Sequence, residues 1–167
     1  MNTVMDNDIF TACMEEGNYQ KVKKYLDDGG NIEMKDNYTL LMVASCYGND
    51  DIVKMLLDRG AEIEAKDDDD ESSPLNTASS YGHFNTADIL LRYGADIETV
   101  DYSGDTPLIS STRGGGDIKG TKMLIDHGAN IEAKNNYGKN FLDYVEKDFD
   151  EILEYIRNRE FNVKPAK

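Results

Sequence analysis

Apolar residues recur along the chain in short clusters, and most clusters end on a glycine. Val22, Tyr25 and Leu26 precede Gly29; Ile52, Val53, Met55, Leu56 and Leu57 precede Gly60; Ile89, Leu90 and Leu91 precede Gly94; Ile118, Met123, Leu124 and Ile125 precede Gly128. Apolar positions at three- and four-residue steps predict a helix with one buried face, and a glycine just past the last of them predicts its stop. Ahead of these clusters lie shorter apolar stretches that open from a turn: Thr39-Leu40-Leu41, Ser73-Pro74-Leu75 and Thr106-Pro107-Leu108. Thr106 is placed to cap a helix, and Pro107 at the first helical position removes no amide that the helix needs. The pattern predicts about ten helices in five antiparallel pairs: 8–16 and 19–27, 40–47 and 50–58, 74–81 and 84–92, 107–113 and 117–126, 141–147 and 150–158. It predicts almost no extended sheet.

The clusters keep one register. Gly29, Gly60, Gly94 and Gly128 stand 31, 34 and 34 residues apart, and Ile32, Ile63, Ile97 and Ile131 repeat the same spacing. A period of this size is the signature of a stacked repeat architecture, in which each unit buries its apolar faces against its neighbours. Unit boundaries are expected near 7–35, 36–67, 68–100, 101–134 and 135–161, forming a single domain over 1–161 with a short tail at 162–167. The first unit starts at its helix near Asp8 and is broken at Gly17, and the fifth lacks a closing Gly-Ala step. Atypical ends suit units that face water on one side. Gly114-Gly115-Gly116 is expected to be a flexible link between the helices of the fourth unit, and Gly120 weakens the helix after it. The fourth and fifth units are therefore expected to open before the second and third.

The run Asp-x-x-Gly-x-Thr-Pro-Leu, then Ala-x-x-x-Gly, then Leu-Leu-x-x-Gly-Ala-Asp-Ile, resembles the ankyrin repeat. Thr106-Pro107-Leu108 and Gly94-Ala95-Asp96-Ile97 match it directly, and Ala44 to Gly48 and Ala78 to Gly82 carry the alanine-to-glycine step. The resemblance spans about residues 7–160. It implies an all-α ankyrin-repeat solenoid of about five helix-turn-helix units with projecting hairpin-like loops. The chain departs from the family pattern at several places. Met42, Asn76 and Ile109 replace the histidine that ties neighbouring loops, so that network is expected to be missing and the stack soft. The loop from Gly29 to Thr39 is two residues shorter than those after Gly94 and Gly128, and the loop from Gly60 to Ser73 is one residue longer than they are. Glu33, Glu64, Glu98 and Glu132 stand where the family has an asparagine that some members hydroxylate, so that modification is not expected. The Asn, Asp, Lys, Ile and Tyr bias without tryptophan resembles ankyrin proteins of AT-rich genomes, among them giant DNA viruses, amoebae and intracellular bacteria.

Partners of ankyrin repeats usually meet the loop tips and the exposed face of the first helices. The resemblance thus implies Tyr38, Cys46 and Tyr47 in the second unit and Asp69, Asp70, Ser72, Ser80 and Tyr81 in the third. It implies Tyr102, Ser103, Asp105 and Arg113 in the fourth, and Asn136, Tyr137 and Lys139 in the fifth. Five of the ten tyrosines fall in this set. Tyrosine supplies large amphipathic contact area at low entropy cost, which suits a binding surface; the same rings could instead cover the backbone of an adjacent unit. The Asp67-Asp68-Asp69-Asp70-Glu71 run reads either as a solvated loop tip or as a contact for a basic partner, and it lacks the spaced ligands and central glycine of a calcium loop.

The formal charge of −15, from 33 acidic and 18 basic residues, opposes binding to nucleic acid or anionic membranes. It keeps the surface solvated, and it favours a protein partner with a basic surface. Two cysteines, Cys13 and Cys46, form no disulfide framework or zinc motif, and with no leader visible at Met1 the expected compartment is cytoplasmic, a host cytoplasm or nucleus included. His83 and His127 belong to no nucleophile or metal motif, and the glycine run has no following Lys-Ser/Thr for phosphate. No cofactor, metal or catalysis is expected. The expected function is a non-catalytic, monomeric protein–protein interaction module. The alternative is a regulatory inhibitor that blocks an enzyme such as a kinase by steric capture, as the ankyrin-built inhibitors of cyclin-dependent kinases do.

Overall fold

The computed structural model describes residues 3–15, 18–113, 118–145 and 149–162. Helices come in pairs along the chain: α1 (Thr3–Met14) and α2 (Tyr19–Asp27), α3 (Leu40–Cys46) and α4 (Asp50–Asp58), α5 (Pro74–Ser80) and α6 (Phe84–Arg92), α7 (Pro107–Ser110) and α8 (Ile118–Asp126). The fifth unit pairs a single 3₁₀ turn, Phe141–Asp143, with α9 (Phe149–Asn162). First helices pack side by side in the order α1, α3, α5, α7, while α2, α4, α6, α8 and α9 form a second layer behind them. This is the all-α solenoid that the repeat period implies.

Three elements differ from expectation. The helix expected over 141–147 is a 3₁₀ turn in its described part, and α7 holds only four residues before a turn that runs to Arg113. The first helix also starts earlier than expected, at Thr3. The breaks expected at Gly17 and Gly114-Gly115-Gly116, and the tail beyond Asn162, lie outside the described residues.

The first elements of the second to fifth units are capped at one register. Thr39 Oγ1 accepts from the amide of Met42 at 3.3 Å, Ser73 Oγ from Asn76 at 3.1 Å, Thr106 Oγ1 from Ile109 at 3.4 Å, and Asn140 Oδ1 from Asp143 at 3.2 Å. Every cap satisfies one of the amides that a helix start leaves open. The loops share a template as well. The shortened loop of the second unit closes as a two-residue antiparallel strand pair, β1 (Lys35–Asp36) and β2 (Tyr38–Thr39), around Asn37 at φ 63°.

The core divides in two. Leu40, Leu41, Ile52, Leu56, Leu75 and Leu90 anchor one cluster through the first three units, and Leu108, Leu124, Phe141 and Ile152 anchor a second in the last two. Leu91 and Met123 pack against both.

Neighbouring units are also tied by a ladder of carboxylates. Glu33 Oε1 accepts the backbone amide of Glu62 at 2.8 Å, Glu64 Oε1 that of Asp96 at 2.8 Å, and Glu98 Oε1 that of Asn130 at 2.7 Å. These are the glutamates that replace the family's asparagine. Lys35 Nζ reaches the carbonyl of Lys66 at 2.9 Å, and Lys66 Nζ reaches that of Val100 at 2.8 Å. Asn76, at the place of the missing histidine, donates to the carbonyl of Asp105 at 3.1 Å. The expected loss of inter-loop ties is thus corrected: other side chains span the same gaps.

Candidate partner-binding groove

Buried Asx residues build the loop tips. Asp67 Oδ1 accepts the amides of Asp69 at 3.0 Å and Asp70 at 2.6 Å. Asp101 Oδ1 takes those of Ser103 and Asp105, both at 2.9 Å, and Asn135 Oδ1 those of Tyr137 at 3.0 Å and Lys139 at 3.1 Å. Each side chain imitates a backbone turn and holds the hairpin closed. Adjacent tips then zip together, with the Tyr102 amide on the carbonyl of Asp70 at 2.7 Å and the Asn136 amide on that of Ser103 at 3.0 Å.

Between these tips and the first helices runs a groove of about 360 Å³. Its helical wall repeats in register: Val43, Thr77 and Ser110 stand four residues past their caps, and Cys46, Ser80 and Arg113 seven past. Of the residues that the resemblance implies, Tyr38, Cys46, Tyr47, Asp70, Ser72, Ser80, Tyr81, Tyr102, Ser103 and Arg113 line this one groove. Asp69 stands at its edge, where Tyr38 Oη donates to Asp69 Oδ2 at 3.5 Å. Tyr137 and Lys139 lie away from it at the tip of the fifth unit, Lys139 beside Asp143 at 3.6 Å.

Asp105 has a different place from the one expected. It is only 2 % exposed, and its carboxylate receives Arg113 and, at 2.6 Å, Asn135 Nδ2. It therefore acts on the surface through Arg113, which also meets Asp101 at 3.4 Å. The acidic run is similarly divided: Asp67 is buried as a loop brace, Asp68 pairs with Lys35 at 2.5 Å, and Asp69 and Asp70 face outward.

The groove tyrosines are not covers for neighbouring units. Tyr81 is 62 % and Tyr102 71 % exposed. The bracing role falls on tyrosines of the second layer: Tyr93 donates to Asp58 at 2.6 Å, and Tyr155 to Asp126. The Cys46 thiol beside Tyr81, together with partial burial, raises the Tyr81 phenol above its usual range, and burial then the nearby aspartates do the same for Tyr38. Both rings stay protonated at neutral pH, as donors with uncharged π faces.

Sequence reasoning missed Ser110. Among the described residues two buried hydroxyls, on Ser79 and Ser110, have no hydrogen-bond partner, and of these only Ser110 lines the groove. Thr77, its register equivalent, donates to the carbonyl of Ser73 at 2.9 Å. The four-residue step from each cap would have identified this position.

A family model described as ankyrin repeats (3 copies) matches residues 9–101, which is 93 of the 167 residues. The chain belongs to the ankyrin-repeat family. Such repeats are in general protein–protein interaction modules and typically carry no catalysis. Over 54 residues the chain is 43 % identical to serine/threonine-protein kinase 12 of Arabidopsis thaliana. That stretch is 31 % of this chain, which spans only 12 % of the kinase, so kinase activity does not follow from it. Among the described residues no helix is long and apolar enough to cross a membrane.

Proposed function

We propose that this ankyrin chain is a non-catalytic interaction module that takes a partner protein in the groove between its loop tips and first helices. One observation carries the reading: residues assigned to partner contact from three separate units line a single groove, with four exposed tyrosines among them. Exposed aromatic rings on a braced backbone are the usual seats of binding energy. The acidic neighbours steer encounter more than they hold the complex.

The test is capture of partners by the full chain, followed by kinetics on the recovered protein. Tyr81→Ala and Tyr102→Ala each weaken the complex at least about tenfold, as truncated hot spots do, while thermal melting stays unchanged. Asp69→Asn with Asp70→Asn slows association and flattens its salt dependence. Glu154→Ala, exposed on α9, is the control. Equal loss from that change would move the binding surface off the groove. Recovery of an enzyme inhibited by the wild-type chain but not by the tyrosine variants would identify the inhibitor form of this function.

A further inference from the structure

The groove is acidic, aromatic and short of one hydrogen bond. Asp67, Asp70 and Asp101 line it, and the one cation in its described lining, Arg113, is already held between Asp101 and Asp105. The carboxylate of Asp67 is spent on its own loop, whereas that of Asp70 has no partner among the described residues. Tyr81 and Tyr102 expose their rings to the same space. Ser110, 1 % exposed, lines the wall with a hydroxyl that nothing engages.

We propose that the groove seats an arginine side chain from an extended basic segment of the partner. Its guanidinium lies against the Tyr81 and Tyr102 rings, and its charge faces the Asp70 carboxylate. This inference rests on the groove reading above and adds the chemistry of the occupant. A guanidinium fits because it is planar, stacks on aromatic faces and offers five fixed donors, while an ammonium is a compact, strongly hydrated charge. The volume suits side chains rather than a folded element: about 360 Å³ lies near the lower end of the roughly 300–1,000 Å³ of small-ligand sites.

The experiment titrates the full ¹⁵N-labelled chain with a nine-residue Gly-Ser peptide carrying one central arginine, and with the same peptide carrying lysine or citrulline. The arginine peptide should shift the amides of Asp70, Tyr81, Tyr102 and Ser110 saturably. Lysine should bind about fivefold more weakly, and citrulline, which keeps the shape without the charge, at least about tenfold more weakly. Asp70→Asn, an exposed change that leaves the fold alone, should weaken the arginine peptide about tenfold. Glu154→Gln should change nothing. Absence of saturable shifts, or shifts scattered over the acidic surface and weakened equally by Glu154→Gln, would overturn the proposal. Citrulline binding as tightly as arginine would overturn the cation specificity while leaving the groove in use. A captured partner indifferent to Tyr81→Ala and Tyr102→Ala would instead overturn the groove reading itself.

Discussion

The ring of Phe84, at the start of α6, occupies the space that a β-carbon on Gly120 of α8 would take: that carbon would stand 2.1 Å from the ring. Helix propensity alone marks Gly120 as a weakness worth about 1 kcal/mol against alanine. Packing reverses the sign, because the absent side chain lets two second-layer helices close on an aromatic ring. Gly120→Ala should therefore destabilise the protein by about 1–3 kcal/mol, the usual cost of overpacking. Urea melting measures this, and a stability equal to or above wild type would show that the ring moves aside freely.

The glutamate ladder makes a positional prediction. Glu64 accepts an amide of the following unit, while Glu132 has no such partner among the described residues because no further Gly-Ala step follows it. Glu64→Ala should cost about 1 kcal/mol and Glu132→Ala less than about 0.5 kcal/mol. Equal losses from the two changes, read by chemical denaturation, would mean that the inter-unit bonds contribute nothing.

Cys13 predicts an alkaline weakness. Burial in the first unit pushes its thiol up from 9.0 to about 12. Below pH 9 the contribution to stability is complete. Between the unfolded and folded values the unfolded chain has lost this proton and the folded chain keeps it, so stability falls as pH rises. The slope is at most about 1.4 kcal/mol per pH unit. Cys13→Ala should show a shallower loss between pH 9 and pH 11 in denaturation midpoints; parallel curves would contradict the linkage. Burial also raises the Cys46 thiol, so native protein should react slowly with Ellman's reagent at neutral pH.

The divided core predicts the order of opening. The last two units share a smaller apolar cluster than the first three, joined to it through Leu91 and Met123. Their first elements are also short, four residues in α7 and a 3₁₀ turn in the fifth unit. Amides of α8 and the 3₁₀ turn should exchange before those of α3 to α6. Uniform protection across the stack would rule out this order.

Much of the groove is legible in the repeat pattern. The ankyrin resemblance places Tyr38, Tyr47, Tyr81 and Tyr102 at loop and first-helix positions, and all four line one groove. Asp105 was not legible in the same way. Its sequence place equals that of an exposed tip residue, yet it turns inward because Arg113 and Asn135 together satisfy its carboxylate. The acidic run likewise reads as one patch, although Asp67 braces its own loop and Asp68 pairs with Lys35.

The pattern of residues along the chain carries the repeat period, most helix pairs and the cap at Thr106. These depend on spacing within a single unit, and local spacing is written directly in the chain. Stacking of the units is what lets Glu33, Glu64 and Glu98 tie neighbours together, makes Gly120 the room for Phe84, and leaves the Ser110 hydroxyl unpaired. Each of these depends on what surrounds a residue once the units have stacked. Such neighbours are chosen by packing, which a pattern read one unit at a time does not contain.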